Sequence, residues 1–132
     1  MSKRIKSIVC FNNLLISLID YTKNLVQKHS KEYNDLEYIQ NIILTLKSNN
    51  PAMILDQSSP YIIPHIENIY NKNESFFLNF EENNLLNENN KTNIMYALNL
   101  KEKWIEGDKN TKEIIWNYII NLTNLIVEYN RC

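Results

Sequence analysis

The chain has 132 residues, of which 44% are hydrophobic and 22% charged, enough for one continuous core but not for two. A formal net charge of −1 gives no electrostatic argument for DNA, RNA or an anionic membrane as the main partner. The only glycine is Gly107, so hairpins and phosphate-binding loops, which need glycines at fixed spacing, are excluded. We therefore expect a single all-α domain over residues 1–132.

The N-terminal part of the chain carries apolar residues at helical spacing. Ile8, Phe11 and Leu15 recur at steps of three and four residues, which predicts an amphipathic helix from about Lys3 to Lys28. Basic residues before this stretch imitate a signal peptide, but two asparagines interrupt the apolar run and no small-residue cleavage site follows. We interpret the segment as a helix of the folded domain, and no run reaches the length of a transmembrane helix.

Two more helices and a proline-containing region are predicted next. Asp35 is the expected N-cap of the second helix, and Pro51 suits the first position of the third. Pro60 should then break or kink the chain, because proline removes a backbone donor and disfavours helix in the residue before it. A short helix from Pro64 to Tyr70 is expected after this break.

The C-terminal part is predicted to form two helices that meet at Gly107. One runs from about Thr92 to Glu106, and the other opens with the capping-box-like pattern Asn110 to Glu113. Glycine accepts the positive φ that often ends a helix, so we expect Gly107 to be a left-handed cap. The predicted fold is a compact all-α bundle of about five to six helices with a C-terminal αα-corner at Gly107.

The titratable residues show no spacing typical of a catalytic or metal site. His29 and His65 are isolated, and the four glutamates between 74 and 88 suit a solvated acidic loop better than a ligand cluster. Cys10 and Cys132 have no partners at metal-ligand spacing and fit a reducing intracellular compartment. We predict no enzymatic activity, no catalytic residue, no cofactor and no metal site.

Basic residues form two small groups, one of them Lys3, Arg4 and Lys6 at the N-terminus. Acidic residues interrupt the other group, around Gly107, as on an ordinary protein surface. Nucleic acid is therefore not the expected partner.

Aromatic residues are the candidate interaction surface. Three phenylalanines lie next to the acidic segment, and two tryptophans flank Gly107. As anchors beside a polar rim they would suit a protein partner, and exposure would favour self-association. The tryptophans could instead lock the αα-corner as core residues, which is the commoner arrangement. The candidate residues are Phe76, Phe77, Phe80, Trp104 and Trp116.

Several short sequence segments, taken together, are similar to segments of a group of viral proteins. They are FNNLLISLID at 11–20, Asn50-Pro51 at a helix start, NESFFL at 73–78, and Trp104 followed by KEIIWNY at 112–118. In these segments the chain resembles small helical proteins of uncharacterised function from nucleocytoplasmic large DNA viruses. The 23 asparagines and 19 isoleucines, whose codons are AT-rich, agree with that origin. The resemblance implies no active-site residue.

The leading hypothesis is a non-catalytic helical interaction or structural protein of a large DNA virus, associated with the virion or virus factory. Its partner would be a viral or host protein or a second copy, in the host cytoplasm or virion. One alternative is a modulator of host signalling or cell death with a Bcl-2-like bundle, although the Asn-Trp-Gly-Arg segment of the cellular family is missing. Another is a nucleic-acid-associated packaging factor.

Overall fold

The computed structural model describes residues 2–75 and 106–131. These ranges are mostly helical and contain no strand, which confirms the all-α prediction. Residues 76–105 lie outside the description, so the predicted helix before Gly107 and the total of five to six helices are not confirmed. The described elements are α1 (Lys3–Lys23), α2 (Lys31–Asn49), α3 (Met53–Ile62), a 3-10 turn (Ile63–His65), α4 (Ile66–Tyr70) and α5 (Lys109–Arg131).

Helix α1 is the centre of the described fold, because it packs against α5, α2 and α3. Its inward face carries Phe11, Leu15 and Leu18, all at most 3% exposed. Helix α5 meets this face with apolar residues at steps of three and four. The buried apolar residues of α5 are Ile115, Trp116, Ile119, Leu122, Ile126 and Tyr129.

The connection between α1 and α2 differs from the prediction. Helix α1 ends at Lys23 and not at Lys28, and α2 begins after Ser30 and not after Asp35. Ser30 has extended backbone angles, and its hydroxyl accepts a hydrogen bond from the Tyr33 N–H at 3.1 Å. Because a serine N-cap satisfies one of the free N–H groups of the first turn, α2 starts earlier than Asp35 would allow.

Helix α3 is not broken at Pro60, where the sequence predicted a break or a kink. The helix continues through this proline to Ile62, and the 3-10 turn that follows contains Pro64. An interior proline costs about 3 kcal/mol, whereas each fully buried Leu or Ile side chain contributes about 1.5–3 kcal/mol. Ile54, Leu55 and Ile62 are all buried, so tertiary packing outweighs the loss of one helical hydrogen bond.

The left-handed helix cap also lies elsewhere than predicted. No described glycine has a positive φ, so the left-handed conformation expected for Gly107 is wrong. After α4, Lys72 has a φ of 52°, and its N–H donates to the Ile69 carbonyl at 3.0 Å. The Asn73 N–H donates to the Asn68 carbonyl at 3.0 Å, which completes a Schellman motif with lysine where glycine is usual.

Gly107 instead precedes the start of α5. The cap of this helix is Asp108, whose carboxylate accepts from the Thr111 N–H at 2.8 Å and whose carbonyl accepts from the Lys112 N–H at 3.0 Å. The predicted cap at Asn110 is therefore two positions late. The hydrogen bond from Thr111 holds the pKa of Asp108 below its ordinary value.

We expect Lys72→Gly to stabilise the protein by about 0.5–1 kcal/mol, because glycine has no Cβ to oppose a left-handed backbone, although its unfolded state is more flexible. Gly107→Ala should not lower stability, because φ is not positive there. Urea unfolding of both variants and of Lys72→Ala, which keeps the Cβ, measures this. A loss of stability in Gly107→Ala, without a gain in Lys72→Gly, would contradict the placement of the left-handed backbone at Lys72 instead of Gly107.

Replacement of the Asp108 cap by alanine should lower Tm by a few degrees, because α5 loses its N-terminal hydrogen bond. Asp108→Asn keeps a capping oxygen without a charge. Since the folded-state pKa of Asp108 is lowered, the carboxylate's extra stabilisation is present above the pKa of the unfolded chain and is lost as pH falls through the folded-state pKa. Thermal scans between about pH 5 and about pH 2 should show the wild type converging on Asp108→Asn; a constant difference would contradict this.

Candidate functional site

The five aromatic candidates from the sequence fall into two groups. Phe76, Phe77, Phe80 and Trp104 lie outside the described residues. Trp116 is 5% exposed and belongs to the core, on the face of α5 that packs against α1. The described part of the candidate aromatic surface is therefore core.

Buried hydroxyl groups in the core are satisfied within their own helices. Thr22 donates to the Ile19 carbonyl at 2.9 Å, and Thr123 donates to the Ile119 carbonyl at 2.7 Å. Ser59 in α3 donates in the same way to a carbonyl one turn earlier. These bonds hold the hydroxyl protons on backbone oxygens, so the three groups serve the fold.

Asn12 connects α1 to the chain just before α3. Its Nδ2 donates to the Pro51 carbonyl at 2.8 Å, and its side chain is 2% exposed. The Oδ1 atom is buried and has no hydrogen-bond partner among the described residues. An unsatisfied buried acceptor costs about 1–3 kcal/mol, so the α1–α3 contact is made at the expense of some stability.

A polar network joins the start of α1 to the end of α5. The Arg4 guanidinium donates to the Tyr129 hydroxyl at 3.1 Å and lies 4.5 Å from the centroid of its ring. The same hydroxyl donates to Asp56 Oδ1 at 2.7 Å, which brings in α3. Three helices are thus connected through the single oxygen of Tyr129.

An open groove of about 680 Å³ lies at this end of the molecule, where α1 begins, α4 runs and α5 ends. The Tyr70 hydroxyl donates to Asn124 Oδ1 and so fixes α4 to α5 along the groove. We call it the α1–α4–α5 groove. It is lined by Lys3, Ile66, Tyr70, Asn124, Val127, Glu128 and Arg131.

Charges in the α1–α4–α5 groove are predominantly positive. Lys3 and Arg131 are the first residue of α1 and the last of α5, and Glu128 is the one carboxylate among the described residues that line the groove. Within residues 2–75 and 106–131, neither the Lys3 ammonium nor the Arg131 guanidinium forms a hydrogen bond or ion pair. Two cations without partners among these described residues can hold an anionic group of a ligand.

Helix α2 presents a second surface. Leu36 and Ile43 are fully buried, whereas Tyr38 and Ile42 are 68% and 42% exposed. On a helix, Tyr38 and Ile42 are one turn apart and point away from Gln40, whose side chain contacts α1. We call Tyr38 and Ile42 the outer face of α2.

The two histidines and the acidic residues do not converge in the described ranges. His29 lies beside Tyr33, with 6.4 Å between ring centroids, and His65 ends the 3-10 turn. No group of three or more His, Cys, Asp or Glu side chains there could hold a metal ion. None of the described helices combines the length and hydropathy needed to cross a bilayer.

Comparison of the chain with protein-family models, curated proteins and solved structures finds no match. The resemblance to proteins of large DNA viruses therefore stays a prediction.

Both surfaces contain residues that the sequence analysis did not single out as interaction residues. The spacing of Tyr38 and Ile42 was a usable signal, since they form a second apolar stripe on a helix that already has a core stripe. No comparable signal connected Lys3 with Arg131, because they lie near opposite ends of the chain.

Tyr129→Phe should destabilise the protein by about 1 kcal/mol, because it removes one acceptor for Arg4 and one donor to Asp56 while it keeps the buried ring. Tyr118→Phe is the matched control, since within residues 2–75 and 106–131 its hydroxyl bonds only the exposed Ser17 hydroxyl, at 2.8 Å. Chemical denaturation measures both variants. Equal losses of stability in the two variants would show that the hydrogen bonds of Tyr129 stabilise the protein no more than the single bond of Tyr118.

Proposed function

We propose that the chain is a non-catalytic helical protein that acts through protein–protein contacts, as an interaction or structural component of a large DNA virus. The observation that carries the proposal is the outer face of α2. Tyr38 and Ile42 are adjacent on the helix and largely exposed to water. A surface helix with one core-facing stripe does not need a second apolar stripe for folding.

Burial of the outer face by a partner would be favourable. Full burial of a side chain the size of Ile42 contributes about 1.5–3 kcal/mol. Tyrosine is enriched among the residues that dominate binding energy at protein interfaces, because it offers a large apolar ring and a polar tip. Ile39 and Leu46 are partly buried against the core and extend the same side of α2. A viral protein, a host protein or a second copy of the chain could each bury this surface.

The use of polar groups in the described fold supports a structural role. The hydroxyls of Thr22, Ser59 and Thr123 are bonded to backbone carbonyls, and Tyr129 connects three helices. The lowered pKa of Asp108 has a structural cause, the capping of α5. The viral origin, and a location in the host cytoplasm or the virion, are supported by the sequence resemblance and the AT-rich codon usage.

Two matched double variants test the proposal. Tyr38→Ser with Ile42→Ser removes the outer face, and Glu37→Ser with Asn41→Ser changes exposed polar residues of the same helix. Both should keep the wild-type helical content. Partner recovery from cells that naturally make the protein, or self-association by sedimentation, should fall about tenfold or more for the first variant only, which corresponds to about 1.4 kcal/mol.

The proposal fails if all three proteins recover the same partners in equal amounts and sediment alike. The non-catalytic part has its own test. It fails if the purified protein shows metal-dependent or nucleotide-dependent turnover that His65→Ala, Glu74→Gln or Glu81→Gln abolishes.

A further inference from the structure

We propose that the α1–α4–α5 groove binds an acidic peptide segment of a protein partner, whose carboxylates pair with Lys3 and Arg131. The proposal goes beyond the interaction at the outer face of α2, because α2 contributes no residue to the groove. It therefore names a second binding site with its own chemistry.

The groove is electropositive in the part of the chain that the structure describes. Among its described lining residues, Lys3 and Arg131 supply two positive charges and Glu128 one negative charge. The first turn of α1 contains no acidic residue that would compete for Lys3. A carboxylate in the groove would receive charge-assisted hydrogen bonds, and a guanidinium such as that of Arg131 can bind it through two parallel N–H donors.

Part of the groove lining is apolar. Ile66 and Val127 offer aliphatic surface between the charged residues, and the Tyr70–Asn124 hydrogen bond holds α4 against α5. Sites for a ligand usually combine apolar walls with a few polar groups that fix its orientation. This combination suits a segment in which acidic and apolar side chains lie close together.

The groove is concave and open to solvent, and its volume of about 680 Å³ exceeds what one carboxylate or phosphate occupies. The concave shape also favours a peptide over a membrane, because lipid headgroups form a broad surface that does not enter a groove between helices. The groove therefore has room for several side chains of a bound segment.

The test uses the full chain and a fluorescent pool of peptides of about eight residues that combine glutamate with leucine. A second pool carries glutamine in place of each glutamate. We expect binding of the acidic pool to be at least about tenfold tighter than binding of the neutral pool. It should also weaken as salt is added, since exposed charge pairs are screened.

Lys3→Gln with Arg131→Gln should weaken binding of the acidic pool by about tenfold or more. The matched control is Lys31→Gln with Lys109→Gln, which removes the same charge from exposed first residues of α2 and α5. This control should bind like the wild type. Amide chemical shifts in α4 and in the last turns of α5 should move on binding.

Equal binding by the groove variant and the wild type would overturn the proposal, as would equal binding of the two pools or no binding of either pool. Binding of vesicles rich in anionic lipid, lost in the groove variant, without peptide binding, would also overturn it in favour of a membrane. Tyr38→Ser with Ile42→Ser should leave peptide binding unchanged. The two surfaces can therefore fail independently.

Discussion

The packing of α1 against α5 is the contact on which the rest of the described structure depends. Phe11 and Leu15 on one helix and Ile119 and Ile126 on the other are almost completely removed from water. Such burial contributes about 1.5–3 kcal/mol for each large apolar side chain, so this interface makes a large favourable contribution to the free energy of folding. The contacts Arg4–Tyr129 and Ser17–Tyr118 show that the helices are antiparallel.

The antiparallel arrangement explains where the polar features lie. It brings the first residue of α1 beside the last turn of α5, which creates both the network at Tyr129 and the α1–α4–α5 groove. Helix α2 is antiparallel to α1 as well, with Lys47 bonded to Asn13 and Gln40 bonded to Asp20. Because these contacts use one side of α2, its outer face stays exposed.

Local signals in the sequence predicted the helices better than their ends. The apolar spacing of Phe11 and Leu15 identified α1, since a 3.6-residue repeat leaves a visible stripe. The ends depended on competition between nearby caps, in which Ser30 prevailed over Asp35 and Asp108 over Asn110. Several residues in each loop can cap a helix, and tertiary packing decides which of them takes the extended backbone angles.

The sequence by itself determined the all-α class and the core-facing stripe of each long helix, because both follow from local spacing and from the scarcity of glycine. Only the tertiary structure decided that Trp116 is core, that Lys72 and His29, and not Gly107, have left-handed backbone angles, and which apolar side chains stay in water. The tertiary structure also decided which residues line the groove. Lys3 and Arg131 share one site because two helices from distant parts of the chain pack antiparallel, and that pairing is a long-range property that no local pattern encodes.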